Sequence, residues 1–256
     1  MVYLAVMLVG GAVFGDRWLT RADPFEVYSD LLAHLSVWGR DDDGRLVVLS
    51  PLAHLARVVP RPGLVAVVAV LFGSTAFDSY KDSLRWVGFV DGLSGDPTWI
   101  NTAALVLFCL VVGVTFTVAA RLTAVEPDGT RRRDLPRLLA HAVVPIVVGY
   151  MTAHYLSYFV GQGQQTLVFL SDPMVRGDDY LGTAGLSPAL WLSYHPTFLA
   201  TVKVLAVVIG HVVGAIGAHD RALTLLPPRH RVTGQLAMLA VMVCYTFAGL
   251  YLLFGS

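Results

Sequence analysis

The feature that most constrains this chain is a series of long apolar segments separated by polar stretches. Four of them are about 20 residues long, which is the length that an α-helix needs to cross the hydrocarbon core of a membrane. They cover residues 99–120, 138–160, 197–219 and 234–254. Two shorter apolar segments, 2–14 and 63–77, complete a predicted set of six spans. The sequence therefore predicts an all-α, polytopic membrane helical bundle in which residues 1–256 form a single transmembrane domain.

The composition supports this fold class and excludes others. Hydrophobic residues make up 55% of the chain and charged residues 14%, whereas a soluble domain carries about 25% charged residues. The formal net charge is zero, and no basic patch with interleaved aromatic residues is present, so no nucleic-acid partner is expected. Cys109 and Cys244 both lie inside apolar segments, which argues against a disulfide framework. The expected partner is the lipid bilayer.

The distribution of arginine predicts which loops face the cytoplasm. Arginines are concentrated in the first, third and fifth loops, at residues 17, 21, 40, 45, 57 and 61, at 121, 131, 132, 133 and 137, and at 221, 229 and 231. The alternate loops hold only Lys81, Arg85 and Arg176. Because cytoplasmic loops carry the excess of Lys and Arg, this alternation predicts a multi-pass protein of the plasma membrane with both termini outside. The first span is short and lacks a positive flank, so we expect an upstream half or a second membrane subunit as a further partner.

Two polar segments between the spans are long enough to have structure of their own. In the predicted cytoplasmic segment 16–62, Asp23-Pro24-Phe25-Glu26 is a typical helix start, and apolar residues then recur at helical spacing as far as Trp38. This pattern predicts an amphipathic helix on the cytoplasmic membrane surface, followed by a turn at 39–44 and a short strand at 45–49. Asp41–Asp43 is predicted to be a solvated turn because the EF-hand spacing is absent. In the outer loop, 161–196, a short helix is predicted at 164–170.

Ionisable residues inside the predicted spans are the candidates for function, because a charge in hydrocarbon is costly and usually has a purpose. Segment 138–160 carries His141 and His154, and segment 197–219 carries Lys203, His211 and His219. A rise of about 1.5 Å per residue converts position into depth. His154 and Lys203 then lie in an outer layer with Asp78, whereas His141 and His219 lie in an inner layer at the cytoplasmic end with Arg121, Asp220 and Gln235. His211 falls between the layers.

The outer layer has several possible roles. His154, Asp78 and Lys203 are the candidate catalytic residues, and His154, His211 and Asp78 are the candidate ligands of a divalent metal ion that would activate water. The same groups could instead pass protons or bind an anionic substrate. In the structural alternative, Asp78 pairs with Lys203 and His154 bonds to a helix neighbour. The sequence contains no HExxH or HxH motif that decides among these roles.

Several stretches of the chain resemble the actinobacterial integral-membrane proteins labelled fenitrothion hydrolase. They include Gly15–Trp18 with Asp23–Ser29, Gly73–Asp78, His141–Tyr155, Ser171–Pro173, and Gly210–His211 through His219–Ala222. The resemblance covers nearly the whole chain and implies a match to the C-terminal part of longer members. It also implies hydrolysis of an organophosphorus triester by an activated water, without assigning catalytic residues.

Three functions are therefore compatible with the sequence. The first is a metal-assisted hydrolase of phosphotriester-like substrates with an outward-facing polar pocket. The second is a transporter or permease subunit with a proton or small-solute pathway. The third is a non-catalytic membrane assembly subunit that docks through the helix at 24–38 and the outer loop. The sequence alone does not establish that the protein is an enzyme.

Overall fold

A computed structural model describes residues 2–41, 43–123, 130–231 and 233–254. The N-terminal part contains α1 (Val2–Phe14), α2 (Asp16–Ala22), α3 (Pro24–Ala33), β1 (Trp38–Arg40), β2 (Leu46–Val48) and α4 (Pro51–Leu55). The bundle then follows with α5 (Leu64–Lys81), α6 (Leu84–Asp91), α7 (Thr98–Leu122), α8 (Leu135–Leu139), α9 (Val144–Ser171), α10 (Trp191–Tyr194), α11 (Pro196–Leu225) and α12 (Leu236–Phe254). Short 3₁₀ turns lie at Ala140–Val143, Pro228–His230 and Thr233–Gln235. The predicted all-α membrane bundle is confirmed.

Five helical segments are long and apolar enough to cross a membrane. They are Leu64–Lys81, Thr98–Leu122, Leu135–Ser171, Pro196–Leu225 and Thr233–Phe254. The sixth predicted span is α1, which has 13 residues and is therefore only about 20 Å long, too short to cross about 30 Å of hydrocarbon. The described residues therefore contain five candidate spans rather than the predicted six.

The α1 helix folds back on α2 instead of standing alone. Gly15 makes the turn with φ +67, a left-handed conformation that favours glycine. Gly10 packs so closely against the Trp18 ring that an added Cβ would lie 2.2 Å from it. The Tyr3 hydroxyl donates to Asp23 Oδ1 at 2.5 Å, so the start of α1 lies at the same level as the start of α3. The α1 and α2 helices therefore form a helical hairpin.

The segment before the bundle contains the predicted helix and turn, but the helix is shorter than predicted. Asp23 caps α3 by accepting from the backbone N–H groups of Phe25 and Glu26, as predicted. The helix ends at Ala33, because Trp38 is already paired with Val48 in the β1–β2 hairpin. Asp41 Oδ1 accepts from two backbone N–H groups of the hairpin turn, which confirms a turn there; Asp42 lies outside the described residues.

The N-cap of α3 supports a simple stability prediction. Asp23→Ala removes the acceptor for two helix N–H groups and for the Tyr3 hydroxyl. We expect the free energy of unfolding to fall, because these N–H groups lose their side-chain acceptor. Unfolding of the purified protein in mixed micelles measures the change. Asp91→Ala, at the last residue of α6, is the matched control and should change the stability little; equal losses for both variants would contradict the capping role.

Two close helix pairs form the bundle. In the first, α5 packs against α7 at Gly73, where an added Cβ would lie 2.5 Å from Cys109 Cα. In the second, α9 packs against α11, and an added Cβ on Gly149 would lie 2.4 Å from the Ala206 carbonyl oxygen. Small residues allow such approaches between membrane helices because the two backbones then come into direct contact. The core of the bundle lies between these pairs.

The α12 helix joins the two pairs. Its Tyr245 hydroxyl lies 2.6 Å from Thr115 Oγ1 on α7, and its ring packs edge-on against Phe72 of α5 with centroids 5.0 Å apart. Gly249 lies against the Tyr150 ring of α9. These contacts fix the lateral positions of α5 and α9, the two helices that carry the candidate site.

The α9 helix differs most from its prediction. The predicted span begins at residue 138, but the continuous helix begins at Val144 after a 3₁₀ turn, with Pro145 in its first turn. A proline there loses no helix hydrogen bond. The helix then continues through Gly161 and Gly163 to Ser171, because a helical glycine costs only about 1 kcal/mol. The separate helix predicted at 164–170 is wrong: these residues are the last turns of α9.

Candidate functional site

The last turn of α5 and the middle of α9 bring together a cluster of polar side chains, called here the outer cluster. It lies at the end of α5 opposite the arginine-rich segment 16–62. Its members are Asp78, Ser79 and Lys81 from α5 and Tyr150, His154 and Tyr155 from α9. The sequence placed His154 and Asp78 at one depth, and the structure joins them directly.

Asp78 is the acceptor at the centre of the outer cluster. Lys81 Nζ lies 2.5 Å from Asp78 Oδ1. His154 Nε2 lies 3.1 Å from Oδ2, and the Tyr155 hydroxyl donates to the same oxygen at 2.6 Å. The Asp78 side chain is 27% exposed and that of His154 is 17% exposed. The carboxylate is therefore held by three donors at the outer boundary of the bundle, within reach of solvent.

A second set of hydrogen bonds leads from His154 into the core. Ser79 Oγ lies 2.9 Å from His154 Nδ1, and the Tyr150 hydroxyl donates to Ser79 Oγ at 2.8 Å. Ser79 and Tyr150 are only 4% and 1% exposed. Because the Asp78 carboxylate can only accept, the His154 nitrogen that faces it, Nε2, carries a proton, and Nδ1 of the neutral ring can then accept from the Ser79 hydroxyl. The result is one directed chain, from Tyr150 through Ser79 and His154 to Asp78.

Lys203 does not join the outer cluster. It is half-buried on α11, and no ion pair or hydrogen bond involves its amine within the described ranges. Asp78 pairs instead with Lys81, which lies three residues further along the same helix, where side chains face each other. The predicted Asp78–Lys203 pair is therefore wrong, and Lys203 is not brought to the candidate catalytic residues.

His211 also lies apart from the outer cluster. Its side chain is buried, and Nδ1 donates to the Val207 carbonyl at 2.8 Å. Nε2 has no hydrogen-bond partner among the described atoms. No group of three or more His, Cys, Asp or Glu side chains able to hold a metal ion occurs in the described part of the chain. Asp78 and His154 supply only two ligands where a catalytic zinc site has three, so the residues present do not fit the predicted divalent metal ion.

The inner histidines contact different groups. His219 Nδ1 lies 3.2 Å from the amide nitrogen of Gln235, which agrees with the predicted inner layer. His141 is buried, and its ring bonds to the backbone at Leu138 and Gly217. The outer and inner histidines thus belong to separate environments, as the depth estimate indicated.

Four members of the outer cluster were not identified as site residues from the sequence: Ser79, Lys81, Tyr150 and Tyr155. Ser79 and Lys81 lie just beyond the predicted end of span 2 at residue 77, but α5 continues to Lys81. Tyr150 was treated as part of an apolar segment. Its spacing of four residues from His154 places both side chains on one helix face. This spacing is the sequence feature that could have identified Tyr150 as a site residue.

An open cavity of about 910 Å³ adjoins the outer cluster. Tyr155 contributes to both, since its ring lines the cavity and its hydroxyl reaches Asp78. Much of the remaining lining is aromatic or amide-bearing and comes from the outer turns of α9: Tyr158, Phe159, Gln162, Gln164, Gln165 and Phe169. Tyr155 is therefore the residue of the outer cluster that the cavity contacts.

Two aspartates order the outer loop beyond α9. Asp172 accepts from the backbone N–H groups of Arg176 and Gly177. Asp179 Oδ1 accepts from the Ser171 hydroxyl at 2.8 Å and from the backbone N–H of Thr183 at 2.7 Å. The Ser171 hydrogen bond, followed by the backbone hydrogen bonds, holds the pKa of Asp179 below its ordinary value.

The depressed pKa of Asp179 predicts how the order of this loop depends on pH. The ionised carboxylate stabilises the loop fully above the ordinary aspartate pKa of about 3.9. This contribution is lost as the pH falls through the lower pKa of the folded state. We expect amide-exchange protection at Thr183 and Ala184, corrected for intrinsic rates, to hold above about pH 4 and to fall as the pH is lowered towards about 2. Asp179→Asn should remove most of this change, and pH-independent protection in the wild type would refute the role of Asp179.

Comparison with known proteins adds no relative to this description. The chain matches no family model, no curated protein and no solved structure.

Proposed function

We propose that this protein is a membrane transport protein whose outer cluster binds and releases protons. The observation that carries the proposal is the directed hydrogen-bond chain Tyr150–Ser79–His154–Asp78. Because His154 Nε2 faces the Asp78 carboxylate, a proton taken up from solvent can be shared between these two groups with little movement of heavy atoms, while Ser79 and Tyr150 hold the imidazole in place. Histidine and aspartate chains inside helical bundles commonly serve proton-coupled transport.

The chemistry of the two ends of the chain supports the same function. At the outer end, Lys81 and Tyr155 hold the Asp78 carboxylate in place beside solvent. At the inner end, Tyr150 lies in the core between Phe72 and Gly249. A proton that enters at Asp78 and His154 thus changes the charge at the α5–α9 contact. Such a change can bias the packing of helices and couple proton binding to solute movement.

The cavity beside Tyr155 supports a small polar solute as the transported molecule. Its amide and hydroxyl groups can exchange hydrogen bonds with a solute, and its aromatic rings supply apolar contact. The proposal includes the orientation of the protein in the plasma membrane. The arginine-rich loops lie on the cytoplasmic side and the outer cluster lies on the outside. The C-terminus then lies outside, whereas the Tyr3–Asp23 bond favours a cytoplasmic start for α1.

Proton flux in reconstituted vesicles tests the proposal. Wild-type protein in proteoliposomes that contain a pH-sensitive dye should dissipate an imposed pH gradient faster than empty vesicles. His154→Gln should return the rate towards that of empty vesicles, because glutamine cannot bind a proton. His195→Gln is the matched control, since the His195 side chain lies outside the hydrogen-bond chain and, among the described residues, contacts the carbonyl and the ring of Trp191. Equal rates for wild-type and empty vesicles would reject proton transport.

A hydrolase is the second candidate, because Ser79, His154 and Asp78 are the residue types of a nucleophilic triad within hydrogen-bond distance of one another. A triad of this kind catalyses hydrolysis, which is also the reaction implied by the resemblance to proteins labelled fenitrothion hydrolase. The geometry supports it less well, because Ser79 is 4% exposed and already accepts from Tyr150. Phosphotriester turnover by the purified wild type, lost in Ser79→Ala, would favour this candidate over transport.

A further inference from the structure

A second cavity lies at the other end of α5, far from the outer cluster along the helix. Its volume is about 650 Å³, within the usual range of small-molecule sites. Four parts of the chain form it: α2, α3, the connection at 58–63 and the first turn of α5. Its floor is apolar and includes Val27, Leu31, Val58, Leu64 and Val67. Its rim is polar and carries Arg21, Asp30, His34 and Arg61.

The rim presents unpaired positive charge. Arg21 and Arg61 come from different segments of the chain, are both exposed, and make no ion pair within the described ranges. Asp30 is the one acidic side chain in the lining. His34 directs Nδ1 to the Asp30 carbonyl at 2.7 Å. The two guanidinium groups therefore remain available to a ligand, and paired arginines suit phosphate oxygens particularly well.

The start of α5 adds further donors at the same place. Gly63 precedes the helix with φ +91, and no side chain caps the first turn. The Leu64 N–H donates to the Arg61 carbonyl, and the N–H groups that follow it in the first turn of this 18-residue helix can meet an anion beside the two arginines. Since α5 is a candidate membrane span, its beginning lies at the level of the lipid headgroups.

We propose that this cavity binds one anionic glycerophospholipid. The phosphate lies between Arg21 and Arg61, and the beginning of the acyl chains covers the apolar floor around Leu31 and Leu64. Both halves of the site are needed for this assignment. A soluble anion would leave the apolar floor exposed, whereas a neutral lipid would leave the two arginines without a counter-charge. Basic pockets at the membrane-facing ends of helices are a recognised setting for such lipids.

Native mass spectrometry of the purified full-length protein tests the site. The probes are dioleoylphosphatidylglycerol, dioleoylphosphatidylcholine and inorganic phosphate, each added separately to the delipidated protein in detergent. We expect the wild type to bind the phosphatidylglycerol more tightly than the phosphatidylcholine. Arg21→Ala/Arg61→Ala should weaken the phosphatidylglycerol complex by about fivefold for each arginine removed. Arg21→Lys/Arg61→Lys should retain part of the preference, because the charge is kept while the paired donors are lost.

The matched control is Arg85→Ala/Arg176→Ala, which removes the same charge from the opposite end of the bundle. It should leave the lipid preference unchanged, and thermal unfolding of every variant checks that the fold is retained. Equal binding of both lipids by the wild type would overturn the proposal. So would an equal loss in the control, or a preference that survives in Arg21→Ala/Arg61→Ala. If inorganic phosphate bound as tightly as phosphatidylglycerol, the cavity would be a simple anion site and the lipid proposal would be overturned.

Discussion

Gly210→Ala is expected to destabilise the bundle strongly, although it adds only one methyl group. An added Cβ would lie 2.5 Å from the Pro145 carbonyl oxygen and 3.2 Å from Gly149 Cα. Both atoms belong to the backbone of α9, so no side chain can move aside, and α9 and α11 must separate. Overpacking of a core usually costs about 1–3 kcal/mol. We expect the upper part of this range, because the contact continues on both sides at Gly149 and Gly214.

The matched control is a second glycine substitution that is expected to raise the stability. Gly163 is also inside a helix, but an added Cβ there meets only the Phe159 ring at 4.0 Å. Gly163→Ala should therefore stabilise α9 by about 0.5–1 kcal/mol, the usual gain from replacing a helical glycine. Unfolding by sodium dodecyl sulfate in mixed micelles gives both values. If Gly210→Ala also proved stabilising, the close α9–α11 contact would be wrong.

The spans that could be predicted well are those with simple apolar sequences. The α7 and α12 helices have long uninterrupted apolar segments, and their observed bounds, Thr98–Leu122 and Leu236–Phe254, lie within about two residues of the predictions. The end of α9 could not be predicted in this way. Gly161 and Gly163 predict the end of the helix because glycine has a low helix propensity. The helix nevertheless continues through both residues to Ser171.

The outer cluster shows what a depth estimate can and cannot provide. Position along a span gave the correct level for Asp78 and His154, and these two side chains meet. The same estimate placed Lys203 at their level, and the antiparallel packing of Gly149 against Ala206 agrees with that height. Depth does not specify the direction in which a side chain points around the helix axis, however. That information comes only from the way in which the helices pack.

The packing explains why α5, rather than α11, completes the site. Gly149 faces α11, whereas Tyr150 and His154 are rotated from it by about 100° and 140° at 3.6 residues per turn. These two side chains therefore turn towards α5, where they meet Ser79 and Asp78. Lys203 lies on the helix that contacts the glycine face of α9. The hydrogen-bond chain is thus a consequence of α9 contacting two neighbours on different faces.

Asp78→Asn is expected to reduce proton flux to the rate of empty vesicles. The asparagine side chain has one acceptor oxygen where the aspartate has two, and its amide cannot take up a proton at ordinary pH. Lys81, His154 and Tyr155 then compete for one acceptor, and the Lys81 ammonium loses its counter-charge. Because Lys81 and Asp78 are 46% and 27% exposed, solvent screens the pair, so we expect a stability loss of only about 1 kcal/mol.

The contrast between flux and stability separates a proton site from a structural one. Asp82→Asn is the matched control, since Asp82 is exposed beside Lys81 and its side chain makes no hydrogen bond to the outer cluster among the described residues. It removes the same charge from the end of α5 and should keep both the flux and the fold. Asp78→Glu should retain measurable flux, because it keeps a carboxylate within reach of His154. If Asp78→Asn lowered stability but left the flux at the wild-type rate, Asp78 would be only a structural ion-pair partner, and proton entry through the outer cluster would have to be abandoned.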